Sequence, residues 1–268
     1  MLKNIKLIRK LEGLTGAGTG LASIPFSSAG TGAFRERWDT VIFRQFCTPD
    51  DEISYLVADP VSRYAAVLDP HIEAEREYIQ VVRQLDLRLV YLVETHIHES
   101  HLSAAPALQI ETGARLVTHS IADSACVGMH VDDGESIFIG EEYIRVMATP
   151  GHSPCSLSFM WRDRVFTGHT LLSGVTGPCQ RDDADAGRLF DSVRDRLFEL
   201  PDEMLVYPGR VAGSRRVSSI GQERATNADL QPQTTRAQFV ARKRAEASSV
   251  SVWKEGSLAA NQRCKVFN

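Results

Sequence analysis

An α/β fold, with two mixed sheets packed together and helices on the outside, is what this sequence predicts, and three observations carry the prediction. Apolar runs of strand length recur from Ile53 to Tyr207. Stretches with apolar residues at helical spacing alternate with them, as layered α/β chains require. The histidines fall just past strand ends, where a sheet edge can gather side chains from distant parts of the chain.

In chain order, residues 1–35 read as an appended arm. They combine the short basic-apolar stretch Leu2 to Leu11 with a Gly/Ser/Ala-rich run from Gly13 to Gly32 that has little surface to bury. Residues 36–268 read as a single domain. It opens with the strands Ile53–Ala58 and Tyr64–Leu68 around the turn Asp59-Pro60. Ala74, Tyr78, Val81 and Leu85 mark one helical face before the strand Leu89–Val93. A helix through Ile110, capped by Gly113, leads to the strand Arg115–Thr118. Strands follow at Tyr143–Ala148, Ser156–Trp161 and Val165–Thr167, then a helix with Leu189, Val193 and Leu197 on one face. Met204–Tyr207 is the last short strand, and Thr235–Ala247 reads as a charged amphipathic helix.

Bulk properties narrow the function classes. The 268 residues are 43% hydrophobic and 24% charged, enough for one sizeable core. A net charge of -4 gives no broad basic field, which argues against nucleic acid or an anionic membrane as partner and toward a small molecule. The longest apolar runs fall short of a membrane span, and the start lacks the order of a secretory signal, so a cytoplasmic chain is expected. Cys47, Cys126, Cys155, Cys179 and Cys264 are odd in number and scattered, which argues against a disulfide framework and for a reducing compartment.

The chemistry concentrates in the histidines. His96, His98 and His101 lie in Thr95-His96-Ile97-His98-Glu99-Ser100-His101, directly after a strand. His152 follows another strand in Thr149-Pro150-Gly151-His152-Ser153, and His169 closes a third in Thr167-Gly168-His169-Thr170. A lone histidine is most often a surface or hydrogen-bonded structural residue. Five in these settings point to a metal, because neutral imidazole is the commonest zinc ligand and a good iron ligand.

This arrangement resembles the metallo-β-lactamase superfamily, whose first motif is H-x-H-x-D-H, with later ligands on a Gly-His turn and a Gly-Asp strand end. Phe43-Arg44-Gln45-Phe46, Tyr55-Leu56-Val57-Ala58-Asp59-Pro60 and Val67-Leu68-Asp69-Pro70 resemble the opening of its glyoxalase II and persulfide dioxygenase branch. Tyr207-Pro208-Gly209, Ser219-Ile220-Gly221-Gln222-Glu223-Arg224, Asn227 and Ala260-Asn261-Gln262-Arg263-Cys264 resemble the closing motifs of the persulfide dioxygenases. The resemblance implies the αββα sandwich of that superfamily over residues 40–264, a small-molecule thiol or persulfide substrate and, by analogy, a homodimer.

Departures from the family pattern decide which chemistry the resemblance carries over. Ser100 stands at the aspartate of H-x-H-x-D-H, His169 at the Gly-Asp aspartate and Arg210 at the last histidine, while Glu99 is one residue off register. A two-metal zinc hydrolase needs those three residues for its second metal, so the resemblance implies one metal at most, and Arg210 adds a repelling charge. The one-iron face of the persulfide dioxygenases maps onto His96, His152 and His169, three histidines with one negative charge fewer. The implied cofactor is one Fe(II), with Zn2+ as the alternative. His98, His101 and Asp69 are expected to orient the ligands, Asp69 having a turn role before proline as its plain alternative. Arg181 and Arg210 are the candidate substrate-binding side chains, with a solvated surface arginine as the commoner expectation for Arg181. Cys179 is expected to be an ordinary thiol, and His71, His119 and His130 structural or surface residues.

Three functions stay open at this point. One is a mononuclear non-haem iron dioxygenase acting on a glutathione-type persulfide to give sulfite. The second is a zinc-hydroxide hydrolase of thioesters. The third is a catalytically altered or inactive protein that keeps the fold for binding or regulation.

Overall fold

A computed structural model describes residues 41–213, 215–247 and 256–266. The arm expected at 1–35 lies outside the described residues. Among the described residues the chain forms fourteen strands and six α-helices, β1 to β14 and α1 to α6 in chain order.

The first sheet has the order β1-β2-β3-β4-β5-β6, formed by Ile42–Cys47, Ile53–Ala58, Tyr64–Leu68, Arg88–Val93, Arg115–His119 and Met129–Val131. β1, β2 and β3 pair antiparallel, and β3 to β6 run parallel. The parallel steps carry α1 (Glu75–Gln84) and α2 (Ala105–Thr112). The second sheet runs β14-β13-β10-β9-β8-β7, with β7 at Ser136–Ile139, β8 at Glu142–Ala148, β9 at Leu157–Trp161, β10 at Arg164–Gly168, β13 at Leu205–Pro208 and β14 at Ser218–Ser219. A small hairpin, β11 (Leu171–Leu172) with β12 (Val175–Thr176), follows β10. α3 (Ala186–Arg194), α4 (Ile220–Thr226), α5 (Arg236–Ala247) and α6 (Ser257–Gln262) complete the chain.

Three apolar clusters turn these elements into four layers. Tyr55, Val57, Leu68 and Val93 of the first sheet meet Ile137, Val146, Phe159 and Phe166 of the second in a buried inter-sheet core. On the far face of the first sheet, Leu56, Val67 and Leu92 pack on Tyr78, Val82 and Leu108 of α1 and α2. On the far face of the second, Met147, Val165 and Val206 pack on Leu189 and Val193 of α3 and Phe239 of α5. Alternate residues of β2 therefore serve two cores, and this explains why the run Ile53–Ala58 is apolar throughout instead of alternating. The helix–sheet–sheet–helix sandwich expected from the sequence is the observed architecture.

The strands read from apolar runs reappear within a residue or two of their ends, and Gly113 caps α2 in the left-handed conformation. Six strands, β1, β6, β7, β11, β12 and β14, escape the sequence reading. β1 is more polar than its neighbours, and β6 and β7 are short edge strands whose pairing comes from tertiary contact. Leu197 starts a separate 3₁₀ turn (Leu197–Glu199) instead of continuing α3.

The cysteine expectation is corrected. Cys126 and Cys264 are joined by a disulfide across 138 residues of sequence. The end of α6 docks beside the segment before β6, where Ala125 N donates to Gln262 O at 2.8 Å, and this brings the two Cα atoms to 5.9 Å. Such a bond weighs against the reducing compartment inferred from cysteine usage. Cys47, Cys155 and Cys179 are free. Among the described residues no helix is long and apolar enough to cross a membrane.

Candidate metal centre

The ends of β4, β8 and β10 converge at one edge of the sandwich. The segment after β4 supplies His96, His98, Glu99 and His101; the turn after β8 supplies His152; the residue after β10 is His169. All six are buried. Two glycines make the last two placements sterically feasible. Gly151 sits at φ 142°, where a Cβ would lie 2.3 Å from the Leu189 backbone, so the turn bearing His152 can press against α3. Gly168 sits at φ 50°, where a Cβ would lie 2.4 Å from Thr95 Oγ1, so β10 can close on the histidine segment.

His96, His152, His169 and Glu99 form one buried group whose potential ligand atoms all lie within 4.8 Å of one another. The three histidines assigned to a metal from the sequence are thus brought together. Glu99 joins them, although the sequence reading set it aside as off register. Its carboxylate supplies a negative charge that the three histidines do not. The segment after β4 is bent irregular backbone, and that bend turns Glu99 inward.

The hydrogen bonds imply tautomers that suit a cation. Thr95 Oγ1 donates its one proton to Asp69 Oδ2 at 2.9 Å, so it accepts from His96 Nδ1 at 2.9 Å. His152 Nδ1 donates to Pro178 O at 2.8 Å. In the neutral rings both Nε2 atoms then carry bare lone pairs, yet they face each other at 3.2 Å, and Glu99 Oε1 lies 3.0 Å from His152 Nε2. Lone pairs converging in a buried space repel unless a proton or a cation stands between them, so the donor set fits a bound metal. Without one, burial raises the Glu99 carboxyl but the neighbouring His152, His169 and Arg181 charges outweigh it and hold it at about 2. Burial and the like charges of His98, His152 and His169 push His96 well below its ordinary value, which keeps it an unprotonated ligand.

Of the residues expected to orient the ligands, Asp69 and His98 lie beside the histidine group, whereas the His101 ring packs against His98 and His71. Asp69, buried and at φ 50°, accepts from Thr95 N at 2.7 Å and contacts His98 Nε2 at 3.0 Å. It thereby fixes Thr95, which fixes the His96 ring. His98 Nε2 lies between Asp69 and Glu94, 2.9 Å from Glu94 Oε2, and those carboxylates overcome burial to raise the imidazole well above its usual pKa. His98 is therefore a buried cation supporting the histidine segment. Asn261 of α6 clamps the same segment from outside, its Nδ2 donating to His98 O and His101 O and its Oδ1 accepting from Ser103 N.

Several expectations change. The Arg181 side chain is 10% exposed, and its guanidinium is already engaged, bidentate with Asp183 and in contact with Ile97 O and Glu99 Oε2 at 3.0 and 3.2 Å. It is not a solvated surface group; it holds Glu99. Arg210 remains half-exposed, 3.8 Å from Glu52 Oε1. His71 is a buried ring tilted against that of His101, 3.8 Å between centroids, whereas His130 is exposed and His119 half-buried. Glu52, just before β2, was not singled out at all; it accepts from His169 Nε2 at 3.0 Å.

Comparison with known proteins places this geometry. Persulfide dioxygenase ETHE1, mitochondrial, of Bos taurus is 33% identical over 194 residues, covering 71% of this chain and 76% of that protein. The crystal structure of ETHE1 from Myxococcus xanthus superposes with a TM-score of 0.79 at 34% identity, covering 83% of this chain and 99% of that one. A hydroxyacylglutathione hydrolase of Polaromonas sp. is more distant, 29% identical over 58% of this chain and 60% of its own. No protein-family profile matches the chain.

Proposed function

Because the chain belongs to the persulfide dioxygenase family of the metallo-β-lactamase superfamily, we propose that it is a mononuclear non-haem iron dioxygenase acting on a low-molecular-weight, glutathione-type persulfide. The observation that carries this reading is the buried convergence of His96, His152, His169 and Glu99. In the balanced reaction the persulfide sulfur–sulfur bond breaks, dioxygen and one water supply the three oxygens of sulfite, and the thiol and two protons are released.

His96, His152 and His169 would hold the metal with Glu99, a set suited to Fe(II) and also compatible with Zn2+. Bound iron supplies open positions where an anionic sulfur and dioxygen can be brought side by side without an external reductant. The protein's own contribution is orientation and charge. Thr95 and Asp69 set the His96 ring, Pro178 O sets His152, and Arg181 sets Glu99. Burial of these groups excludes water that would compete for the same positions. Arg210, half-exposed and cationic, is placed to attract an anionic substrate.

The test is metal analysis of protein expressed in iron- and zinc-supplemented media, followed by oxygen uptake with glutathione persulfide. Iron-dependent uptake with stoichiometric sulfite is expected. Iron-loaded protein without uptake refutes the dioxygenase reading, and thioester hydrolysis by the zinc form would establish the hydrolase in its place.

A further inference from the structure

We propose that Glu52, His71 and His101 form a second site for a divalent cation of the zinc and iron class, adjoining the first but built from a different set of residues. It goes beyond the single-metal function above and does not depend on it. The resemblance implied that the second site was lost, because Ser100 and Arg210 replace its ligands. The fold brings other donors to the same neighbourhood.

The potential ligand atoms of Glu52, His71 and His101 all lie within 4.8 Å of one another, and all three residues are buried. His71 supplies the independent observation. It is 2% exposed, yet neither ring nitrogen has a hydrogen-bond partner. Its backbone is fixed, since His71 N donates to Tyr78 Oη at 3.0 Å and the residue bridges to Ser103, so the ring is held in place. A buried ring with both nitrogens unmatched costs on the order of 1–3 kcal/mol for each group unless something else meets it. A cation coordinated by one nitrogen removes that cost for the nitrogen it binds.

The donor chemistry fits such an ion. Two imidazoles and one carboxylate with open positions are a set that zinc and iron accept. Glu52 links the two groups, because its Oε2 lies 3.0 Å from His169 Nε2 and 4.0 Å from His101 Nδ1. Arg210 sits by the other oxygen, Oε1, at 3.8 Å, and its side chain is 37% exposed, so solvent screens its charge, while the second opposing cation, His98, whose ring lies 4.1 Å from that of His101, is balanced by Asp69 and Glu94.

The experiment is a titration of the chelator-stripped full chain with Co2+ and, separately, Zn2+, read by calorimetry, with cobalt absorption spectra for the coordination. Two equivalents are expected for the wild type. His71→Gln should bind one equivalent, with the remaining affinity within about threefold of the tighter wild-type site, while His96→Ala should keep the Glu52 group's equivalent and lose the other. One equivalent in the natively folded wild type overturns the proposal, as do two in His71→Gln. Should His71→Gln fail to fold, Glu52→Gln reads the same loss of one equivalent, and two equivalents bound to that folded variant likewise overturn the proposal. Oxygen uptake is read separately, so absence of dioxygenase activity with two bound cations would sink the proposed function and leave this site standing.

Discussion

Glu99→Gln is the perturbation that most directly probes the metal centre. Glutamine keeps the shape and one oxygen but removes the charge 3.0 Å from His152 Nε2. At an effective dielectric near 20, opposite unit charges about 4 Å apart attract by ~4 kcal/mol, and a divalent cation doubles this. Arg181, 3.2 Å from Glu99 Oε2, already neutralises much of that carboxylate, and the amide oxygen recovers part of the rest. The expected net loss is about 3 kcal/mol, roughly a 150-fold weaker metal dissociation constant. Chelator-competition titration with Zn2+ at neutral pH measures it directly. Affinity within threefold of wild type, alongside a His152→Ala control that loses binding, would refute the role of Glu99 as a ligand.

Other predictions follow from the same geometry. Gly168→Ala puts a Cβ 2.4 Å from Thr95 Oγ1 at φ 50° and should cost roughly 1–3 kcal/mol in chemical denaturation, with 10- to 100-fold weaker metal binding as Thr95 releases His96. Cys264→Ser opens a closed loop spanning 138 residues and should lower stability by up to about 5 kcal/mol on loop entropy, seen as a lower melting temperature; an unchanged melt would show that the bond does no stabilising work. In the metal-free chain, burial and then the like charge of His98 hold His71 at about 4, down from 6.5, so the unfolded state takes up its proton first as pH falls. Stability should therefore drop by about 2 kcal/mol between about pH 7 and 5 from this group, and His71→Gln should flatten that part of the urea-denaturation profile. Glu52 and Glu99, each lowered from 4.5 to about 2 as His169 and His152 outweigh burial, contribute stability that is complete above about pH 4.5 and lost as pH falls toward 2.

The layered fold was legible in the sequence because strands buried on both faces must be apolar throughout, as Ile53–Ala58 is, and because helices packed on one side repeat their apolar residues at fixed spacing. The histidines were legible for a related reason: a parallel or mixed sheet delivers the residues after its strand ends to one edge, so His96, His152 and His169 announce a common site without any knowledge of distances. Short edge strands such as β6 and β7 lacked that signal, since their pairing depends on tertiary contact.

What the tertiary structure alone decided lies in the carboxylates, one histidine and one bond. Glu99 sits beside a recognised motif, but whether it faces His152 depends on a bend that no periodicity encodes. Glu52 meets His169 from 117 residues away, and Cys126 meets Cys264 from 138. Arg181 was legible as a charge but not as a group sequestered by Asp183 and Glu99. His71 stood outside every matching motif, and its significance appears only when the packing that strips water from both its nitrogens is known. Local patterning determines which segments become strands and helices, because burial selects apolar residues at each position. The charge and ligand count of the site are set by contacts between segments, and those exist only once the two sheets have closed on each other.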